Sequence, residues 1–173
     1  MYKRQEQNAL ARVQQFMDQG SAYAREHGTR TATIGLVLSA SPLALLAWIG
    51  EKFLEWTDDD PALDTILESV TLYYLTDTFP RCIYPYRNNF GAKRDPEAGK
   101  PESKKFHTGS KPMGFSWFPC EIAQVPRSWT EQSTDNLLFY REHERGGHFA
   151  ALERPEDLWR DVEEFAGLAW KQV

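Results

Sequence analysis

Two residues in the C-terminal half of the sequence have the types and positions needed to move a proton. His148 lies in the segment GGHF, after an apolar segment that predicts a strand and before a predicted helix, and Glu121 follows another predicted strand. Parallel sheets place their chemistry at the carboxyl ends of strands, where a carboxylate can accept an imidazole N–H and fix the tautomer of the ring. The pattern allows a carboxylate–histidine pair, but the residues alone do not select it. A structural histidine and a solvated loop glutamate are the open alternatives.

Two tyrosines in the N-terminal half are candidates for a second kind of chemistry. Tyr23 lies in SAYAREH and Tyr86 in FPRCIYPYR, where Tyr84 is close by. A phenol has a pKa of about 10, so at neutral pH it keeps its proton and can donate it to a negatively charged oxygen. Tyrosines at helical spacing are usually core residues with the hydroxyl at the surface. The residue pattern alone therefore does not select these two.

The elements that carry His148 and Glu121 are predicted to be strands of a parallel sheet. Pro112–Phe118 and Asn136–Tyr140 are short and apolar, which predicts buried strands. Val125–Thr130 predicts a short helix between them, and strands joined by such a crossover are parallel. Because a two-stranded sheet is marginal by itself, we expect the sequence to lack most of the sheet to which these strands belong.

The segments on either side of these strands have contrasting patterns. Residues 91–111 are rich in Gly, Pro, Lys, Glu and Ser without periodicity, which predicts a surface loop. Pro155 begins a predicted amphipathic helix. Its expected apolar face consists of Leu158, Trp159, Val162, Phe165, Ala166 and Trp170.

The first ninety residues predict helices only. A helix over residues 5–27 is expected to break at Gly20, to restart after Ser21 and to end at Gly28. Further helices are predicted from Ser41-Pro42 to about Thr57, from Asp60-Pro61 to about Thr76, and from Pro80 through Ile83 and Tyr86. The acidic run 58–60 is interpreted as helix capping and solvated charge rather than as a nucleophile.

One uncharged stretch, Thr31–Gly50, approaches the ~20 residues of a membrane span. Its threonines and serines, with Pro42, favour a loop followed by a buried helix, and the alternative is a membrane association. The sequence predicts no transmembrane segment on this interpretation. The N-terminal MYKRQE has no apolar segment behind its basic residues, so a signal peptide is not predicted.

Composition limits the classes of function. The 173 residues are 41% hydrophobic and 13% aromatic, which is typical of a globular domain rather than a disordered chain. The net charge is −5 and no basic block is present, so nucleic acid is not expected as a partner. Cys82 and Cys120 are far apart and outside any CxxC pattern, which favours reduced thiols and a cytoplasmic protein.

Five blocks of the sequence are similar to fungal and mammalian epoxide hydrolases of the microsomal type. These blocks extend over nearly the whole chain from Tyr23 onward. They are Tyr23–Thr31 (YAREHGTRT), Ser39–Lys52 (SASPLALLAWIGEK), Tyr74–Arg87 (YLTDTFPRCIYPYR), Lys111–Trp129 (KPMGFSWFPCEIAQVPRSW) and Gly146–Pro155 (GGHFAALERP). The combination is specific, because unrelated α/β-hydrolases share only the general strand order.

The resemblance implies a fold, a domain arrangement and a set of roles. It implies a truncated α/β-hydrolase fold, with a mostly helical lid over residues 1–100. Residues 101–173 would form the C-terminal segment of the core, with two short parallel strands and flanking helices. His148 matches the family's general base and Glu121 its acidic partner. Tyr23 and Tyr86 match the two lid tyrosines that bind and protonate the epoxide oxygen.

The resemblance also implies what the sequence lacks. The family's nucleophilic aspartate lies in a GxDxG-like elbow and its oxyanion loop has an HGxP-like pattern, and neither pattern occurs in these residues. The implied reaction is hydrolysis of a small apolar epoxide to a diol, without a cofactor or metal, and the implied role is detoxification. We expect the chain alone to be inactive unless a separate N-terminal half completes the site. The alternatives are a non-catalytic binding or interaction module and a different α/β-hydrolase.

Overall fold

The computed structural model of the chain describes residues 4–90 and 108–171. These residues form two compact units. The strand unit comprises residues 4–16, 56–59 and 108–171, and the helical unit comprises residues 17–55 and 60–90. The predicted lid, residues 1–100, therefore contains the helical unit and also two short segments of the strand unit.

Helices dominate both units. In chain order the elements are α1 (Arg4–Gln15), a π-helical segment (Phe16–Gly20), α2 (Ala22–Thr29), α3 (Thr31–Ser39), α4 (Pro42–Trp56), α5 (Leu63–Thr76), α6 (Phe79–Cys82), α7 (Tyr86–Phe90), β1 (Met113–Trp117), α8 (Arg127–Gln132), β2 (Leu137–Glu142), α9 (Ala150–Glu153) and α10 (Pro155–Trp170). Most of the predicted loop, residues 91–107 of 91–111, lies outside the described residues.

The predicted break at Gly20 is confirmed, but the predicted helix end at Gly28 is wrong. The π-helical segment ends at Gly20, and Ser21 precedes α2 with its hydroxyl donating to the carbonyl of Met17 at 2.8 Å. Helix α2 continues through Gly28 to Thr29. A glycine ends a helix when it takes a left-handed conformation. Among the described glycines only Gly109 and Gly146 have a positive φ.

The predicted loop before Pro42 is instead the helix α3. Two of its hydroxyl side chains are satisfied by carbonyls four residues earlier, since Thr31 donates to His27 in α2 and Ser39 donates to Gly35 within α3. Helix α3 packs against α6, and a Cβ at Gly35 would lie 3.1 Å from Pro80. Close packing against α6 thus outweighs the weak helix propensity of these residues.

The next two helices follow the sequence signals. The hydroxyl of Ser41 accepts a 3.2 Å hydrogen bond from the N–H of Ala44, as expected of an N-cap before Pro42. Helix α5 ends at Thr76 and is followed by Asp77 at the C-cap, whose φ of 50° is left-handed. Both predictions are confirmed to within a few residues.

The helix predicted from Pro80 through Tyr86 is two short helices, α6 and α7. Pro85 has no N–H to donate, so the helical hydrogen-bond ladder is interrupted before Tyr86. The N–H of Tyr86 bonds to the carbonyl of Ile83 at 3.2 Å, in a turn that leads into α7. Tyr86 is consequently the first residue of α7.

The predicted parallel pair of strands is confirmed. Strand β1 pairs in parallel with β2 from Met113↔Leu137 to Trp117↔Glu142, with an irregularity after Met113. Helix α10 packs over both strands, and a Cβ at Gly114 would lie 2.8 Å from the ring of Phe165. Phe139 is the only fully buried strand residue in the described part of the chain, so the prediction of buried strands is only partly right.

The predicted apolar face of α10 is only partly buried. Trp159 and Trp170 are 65% and 84% exposed, and Val162 is also exposed. The most buried residue of this helix is the acidic Asp161, at 2% exposure. Hydrophobic periodicity located the helix correctly and included Phe165, which packs on β1, but it also assigned exposed side chains to the buried face.

The length and hydropathy of the helices bear on the predicted absence of a transmembrane segment. Within residues 4–90 and 108–171 no single helix has both the length and the hydropathy of a membrane span. Helices α3 and α4 meet that criterion only when taken together, across a bend of 115°.

Candidate functional site

His148 is held in place by a short loop between β2 and α9. Its backbone N–H donates to the carbonyl of Trp56 at 2.8 Å, and Gly147 forms an isolated parallel bridge with Cys120. The bridge continues the parallel pairing of β1 and β2 beyond the strands. It therefore brings the segment that carries Glu121 next to the segment that carries His148.

Two glycines make this close approach possible. Gly146 has a φ of +109°, which side-chain-bearing residues rarely adopt. A Cβ at Gly147 would lie 2.4 Å from the carbonyl oxygen of Trp56. The Gly-Gly sequence thus serves to bring the His148 backbone against the end of α4.

Glu121 and His148 form the predicted carboxylate–histidine pair. His148 Nδ1 lies 2.8 Å from Glu121 Oε1, and both side chains are about one-third exposed, at 36% and 32%. The same carboxylate oxygen accepts the backbone N–H of Ile122 at 2.7 Å, which fixes its orientation. With Nδ1 bonded to the carboxylate, a neutral His148 carries its proton on Nδ1 and leaves the lone pair of Nε2 to act on a water.

The pairing lowers the pKa of Glu121 and raises the pKa of His148, so it favours the charged form of each side chain. Burial acts to raise the pKa of Glu121, but the hydrogen bond and charge of His148 and the N–H groups of Ile122 and Ala123 outweigh it, so this pKa is lowered. The hydrogen bond that His148 donates to Glu121 raises the pKa of His148 against the effect of burial, and the charges of Glu121 and Glu153 add to the rise. The pair thus stabilises the imidazolium that forms when His148 takes a proton.

Aromatic rings surround His148. The rings of Trp56 and Phe149 each lie 5.2 Å from the imidazole in edge-to-face geometry. Trp56 and Phe149 are themselves stacked, with centroids 6.2 Å apart. This wall limits the orientations open to the imidazole ring.

Charged residues next to the Gly-Gly loop support it, and the sequence did not indicate this role. Asp58 accepts the backbone N–H of Gly146 at 3.0 Å and the thiol of Cys120 at 3.3 Å. Glu153 accepts the N–H groups of Asp58 and Gly147 at 2.5 and 3.1 Å. The hydrogen bond from Gly146 is the main reason that the pKa of Asp58 is lowered. The interpretation of Asp58 as solvated charge is therefore wrong.

Arginines complete this support. Arg154 bonds to Asp59 at 2.7 Å and to Asp58 at 3.4 Å, and Arg145 bonds to Asp59 at 2.5 Å. Residues 58 and 59 lie two and three positions after Trp56 in sequence but contact residues 86 to 96 positions later. Sequence spacing offers no signal for such contacts.

A second acid–histidine pair in the strand unit serves a different purpose. The buried carboxylate of Asp161 accepts from Ser116 at 2.6 Å and Arg141 at 2.6 Å, and lies 2.7 Å from His143 Nε2. His143 is stacked on Phe118 with centroids 4.5 Å apart and is largely buried. Because this carboxylate is saturated and enclosed, the cluster ties α10 to both strands and is not a second catalytic candidate.

In the helical unit the structure places the two predicted tyrosines side by side. The rings of Tyr23 and Tyr86 have centroids 5.9 Å apart and are inclined by 74°. Tyr84 is 47% exposed and its ring lies 6.0 Å from the guanidinium of Arg87, so it is not part of this pair. Helix α2 packs against α7 and brings the two tyrosines together.

Tyr23 keeps its proton in this environment. Burial is the main cause that raises its pKa far above the ordinary value, and the charge and hydrogen bond of Tyr86 add to the rise. The ammonium of Lys52 lies 4.9 Å from the centroid of the Tyr23 ring. At neutral pH the phenol is therefore fully protonated.

The four predicted site residues thus form two pairs. Glu121 and His148 are joined in the strand unit, and Tyr23 and Tyr86 are joined in the helical unit. A carboxylate-oriented imidazole can take a proton from water, and two adjacent phenols can bind and protonate an oxygen.

Comparisons with known proteins identify the family. No protein-family model matches the sequence. A protein of Dothistroma septosporum that is provisionally named an epoxide hydrolase is 47% identical over 167 residues, which cover 95% of this chain and 37% of that protein. Epoxide hydrolase 1 of Oryctolagus cuniculus is 35% identical over 164 residues, which cover 88% of this chain and 35% of that protein. The chain is homologous to part of the epoxide hydrolases.

Solved structures agree with this family and with the fold. The structure of Aspergillus niger epoxide hydrolase matches with a TM-score of 0.85 at 47% identity, and covers 98% of this chain and 41% of that chain. The juvenile hormone epoxide hydrolase of Bombyx mori matches with a TM-score of 0.84 at 23% identity, a likeness of fold alone. The chain spans only 35–43% of the length of these epoxide hydrolases, and corresponds to the C-terminal part of their α/β-hydrolase fold.

Proposed function

We propose that this chain supplies the lid tyrosines and the charge-relay pair of an epoxide hydrolase. The observation that carries the proposal is the pairing of all four predicted residues: Glu121 with His148 at 2.8 Å, and Tyr23 with Tyr86 at a ring distance of 5.9 Å. Other α/β-hydrolases have no need of two adjacent phenols in the lid. The phenol pair therefore favours an epoxide over an ester or a halide as substrate.

In the proposed first step the epoxide ring is opened by an aspartate. A carboxylate oxygen attacks a ring carbon, the bond from that carbon to the epoxide oxygen breaks, and an ester forms on the enzyme. The released oxygen carries negative charge. Tyr23 and Tyr86 bind it and transfer a proton to it, and the phenol that donated is reprotonated from solvent.

In the proposed second step His148 activates a water. Nε2 takes a proton from the water, whose oxygen attacks the carbonyl carbon of the ester. The ester collapses to the diol and the free aspartate, and the proton on the imidazolium returns to solvent. Glu121 stabilises the imidazolium during this step, in keeping with the raised pKa of His148.

The aspartate must come from outside the 173 residues, since no nucleophile elbow occurs among them. We propose that an N-terminal half, in the same or a separate polypeptide, supplies the nucleophile and the oxyanion loop. The isolated 173-residue chain is then expected to be inactive. The proposed substrate is a small apolar epoxide, with water as the second reactant and no cofactor.

A non-catalytic binding or interaction module is the second candidate. The exposed Trp159, Val162 and Trp170 on α10 favour it, because large apolar side chains at a surface are typical of contact sites. The two candidates differ in whether the completed protein turns over an epoxide.

Completion of the protein tests the proposal. The segment of Aspergillus niger epoxide hydrolase that precedes its matched part is fused to this chain, and diol formation from styrene oxide is measured by chromatography. The fusion is expected to be active and the 173-residue chain inactive. In the fusion, His148→Gln is expected to accumulate the ester on the aspartate, detected by mass spectrometry. A folded but inert fusion that forms neither ester nor diol would favour the binding module.

A cytoplasmic location is also part of the proposal. Cys82 and Cys120 are both free thiols, and Cys82 is exposed, which suits a reducing compartment. A fluorescent fusion of the full-length protein that co-sediments with membranes would contradict this location.

A further inference from the structure

His27 is a buried histidine that the proposed mechanism does not use. It lies in α2 one turn after Tyr23 and is 5% exposed. Residues four positions apart on a helix share a face, so the imidazole and the Tyr23 phenol lie one above the other. Their ring centroids are 5.5 Å apart and the rings are inclined by 81°.

The same imidazole contacts the second tyrosine. The ring of Tyr86 lies 4.8 Å from the His27 ring at an inclination of 79°, which is closer than the two tyrosines lie to each other. His27 is thus nearly perpendicular to both phenol rings and touches both. Edge-to-face contacts of this kind favour one relative orientation of the rings.

One hydrogen bond fixes the orientation and tautomer of this imidazole. The indole N–H of Trp48 donates to His27 Nε2 at 3.0 Å. A nitrogen that accepts carries no proton, so a neutral His27 must hold its proton on Nδ1. Among residues 4–90 and 108–171 the buried Nδ1 has no hydrogen-bond partner, so no competing bond draws the ring into another orientation.

The surroundings keep His27 neutral. Burial, followed by the charge of Lys52, lowers its pKa to about 4. The Lys52 ammonium lies over the rings of Tyr23 and Trp48, with centroids at 4.9 and 5.4 Å. An imidazolium at this position would lose the Trp48 hydrogen bond, since both of its nitrogens are donors.

We infer that His27 is a positioning residue for the two tyrosines: a neutral imidazole, locked by Trp48, that holds the phenol rings of Tyr23 and Tyr86 in the orientation needed to bind one oxygen. The inference rests on the proposed function for its catalytic consequence, but not for the tautomer or the ring geometry. Phenylalanine would fill the same space but could not accept the N–H of Trp48.

The structural part is tested on the 173-residue chain by NMR. Ring nitrogen-15 spectra are expected to show His27 with a protonated Nδ1 and an unprotonated Nε2 across the neutral pH range. In Trp48→Phe the fixed tautomer is expected to give way to a mixture. A wild-type His27 that already exchanges between tautomers, or that carries its proton on Nε2, would overturn the inference.

The catalytic part is tested in the completed fusion with His27→Leu and His27→Gln. His27→Leu is expected to lower kcat by about 10- to 100-fold with little change in KM, because misoriented donors weaken the transition state more than substrate binding. His27→Gln retains an acceptor for the Trp48 N–H and is expected to recover part of kcat. An unchanged kcat in a folded His27→Leu fusion would contradict a positioning role.

Phe79→Leu is the matched control. Phe79 is buried and its ring lies 5.9 Å from His27, but it takes no part in the Trp48 hydrogen bond. This variant is expected to lower stability while leaving the His27 tautomer and kcat nearly unchanged. If the wild-type fusion itself makes no diol, the proposed function fails, whereas the NMR spectra still decide whether His27 is locked.

Discussion

The carbonyl oxygen of Trp56 accepts the backbone N–H of His148 at 2.8 Å, and the indole of the same residue lies 5.2 Å from the imidazole. The last residue of α4 therefore holds both the backbone and the ring of the proposed general base. Gly147, the residue before His148, allows this approach because it has no side chain. The position of His148 thus depends on contacts far away in sequence.

Gly147→Ala is expected to destabilise the protein and displace His148. The added Cβ would lie 2.4 Å from the Trp56 oxygen and 3.2 Å from Thr57 Cα, both of which are backbone atoms. Overpacking against backbone typically costs about 1–3 kcal/mol. The free energy of unfolding in urea gives the loss, and the NMR shift of the His148 ring reports the displacement.

Gly167→Ala is the control for this substitution. Gly167 lies in α10, and a Cβ added there would meet nothing within 4 Å, so alanine is expected to raise helix stability by about 0.5–1 kcal/mol. Equal effects of the two substitutions would show that the contact with Trp56 does not restrain the loop.

Glu121→Gln is expected to lower the pKa of His148. The carboxylate is the main cause that raises this pKa, so its loss leaves burial to act in the opposite direction. NMR titration of the His148 ring in wild type and variant measures the difference. Glu131→Gln, which removes an exposed carboxylate paired with Arg127, is the control and is expected to leave the titration unchanged.

The same pair makes stability depend on pH in a defined direction. Because the pKa of His148 is higher in the folded chain, its stabilising contribution is complete below its unfolded pKa of about 6.5 and is lost as pH rises through the folded value. Because the pKa of Glu121 is lower in the folded chain, its contribution is lost as pH falls through that lowered value. The free energy of unfolding of wild type should therefore exceed that of Glu121→Gln most at pH values above the lowered pKa of Glu121 and below the raised pKa of His148. A difference that keeps growing into the alkaline range would contradict this account.

Asp161→Asn is expected to lower the free energy of unfolding by about 1–3 kcal/mol, because the buried amide cannot accept all the hydrogen bonds that the carboxylate accepts. The partly exposed Arg141 keeps its ion pair with Glu164, which limits the loss. Ser116 and His143 also bond to this carboxylate, so both strands lose contacts with α10. Urea unfolding measures the loss. Asp157→Asn, one turn earlier in an exposed pair with Arg160, is the control and is expected to change stability by less than about 0.5 kcal/mol. A similarly small change for Asp161→Asn would show that this cluster does not stabilise the fold.

Local signals in the sequence predicted some elements correctly. These are the elements whose ends are set by residues close by in the sequence. Ser41 and Pro42 locate the start of α4 because capping is decided within one turn. The two strands and their parallel pairing follow from short apolar segments joined by a helical crossover. The same logic allows the pairing of Glu121 with His148, since parallel strands end at one edge of the sheet, but only the family resemblance selected these two residues.

The features that the sequence did not predict depend on contacts between segments that are far apart in the chain. Helix α3 forms because Gly35 allows α6 to pack closely, which no pattern within 31–39 indicates. Asp161 is buried because its partners lie on β1 and β2, and Asp58 is engaged because Gly146 folds back onto it. The tyrosine pair required the family resemblance, since spacing alone did not distinguish Tyr86 from Tyr84.

Tyr86→Phe in the completed fusion is expected to lower kcat/KM for styrene oxide by about 100-fold or more, because one of two donors to the developing alkoxide is lost. The ring contacts with Tyr23 and His27 remain and only the hydrogen bond between the two phenols is lost, so stability should fall by about 1 kcal/mol or less. Tyr84→Phe removes an exposed hydroxyl two residues away and is expected to leave kcat/KM within about twofold. Rapid-quench measurement of ester formation assigns the Tyr86 loss to ring opening rather than to hydrolysis. Normal ester formation in Tyr86→Phe would exclude this phenol as the proton donor. It would then favour the activity of a different α/β-hydrolase.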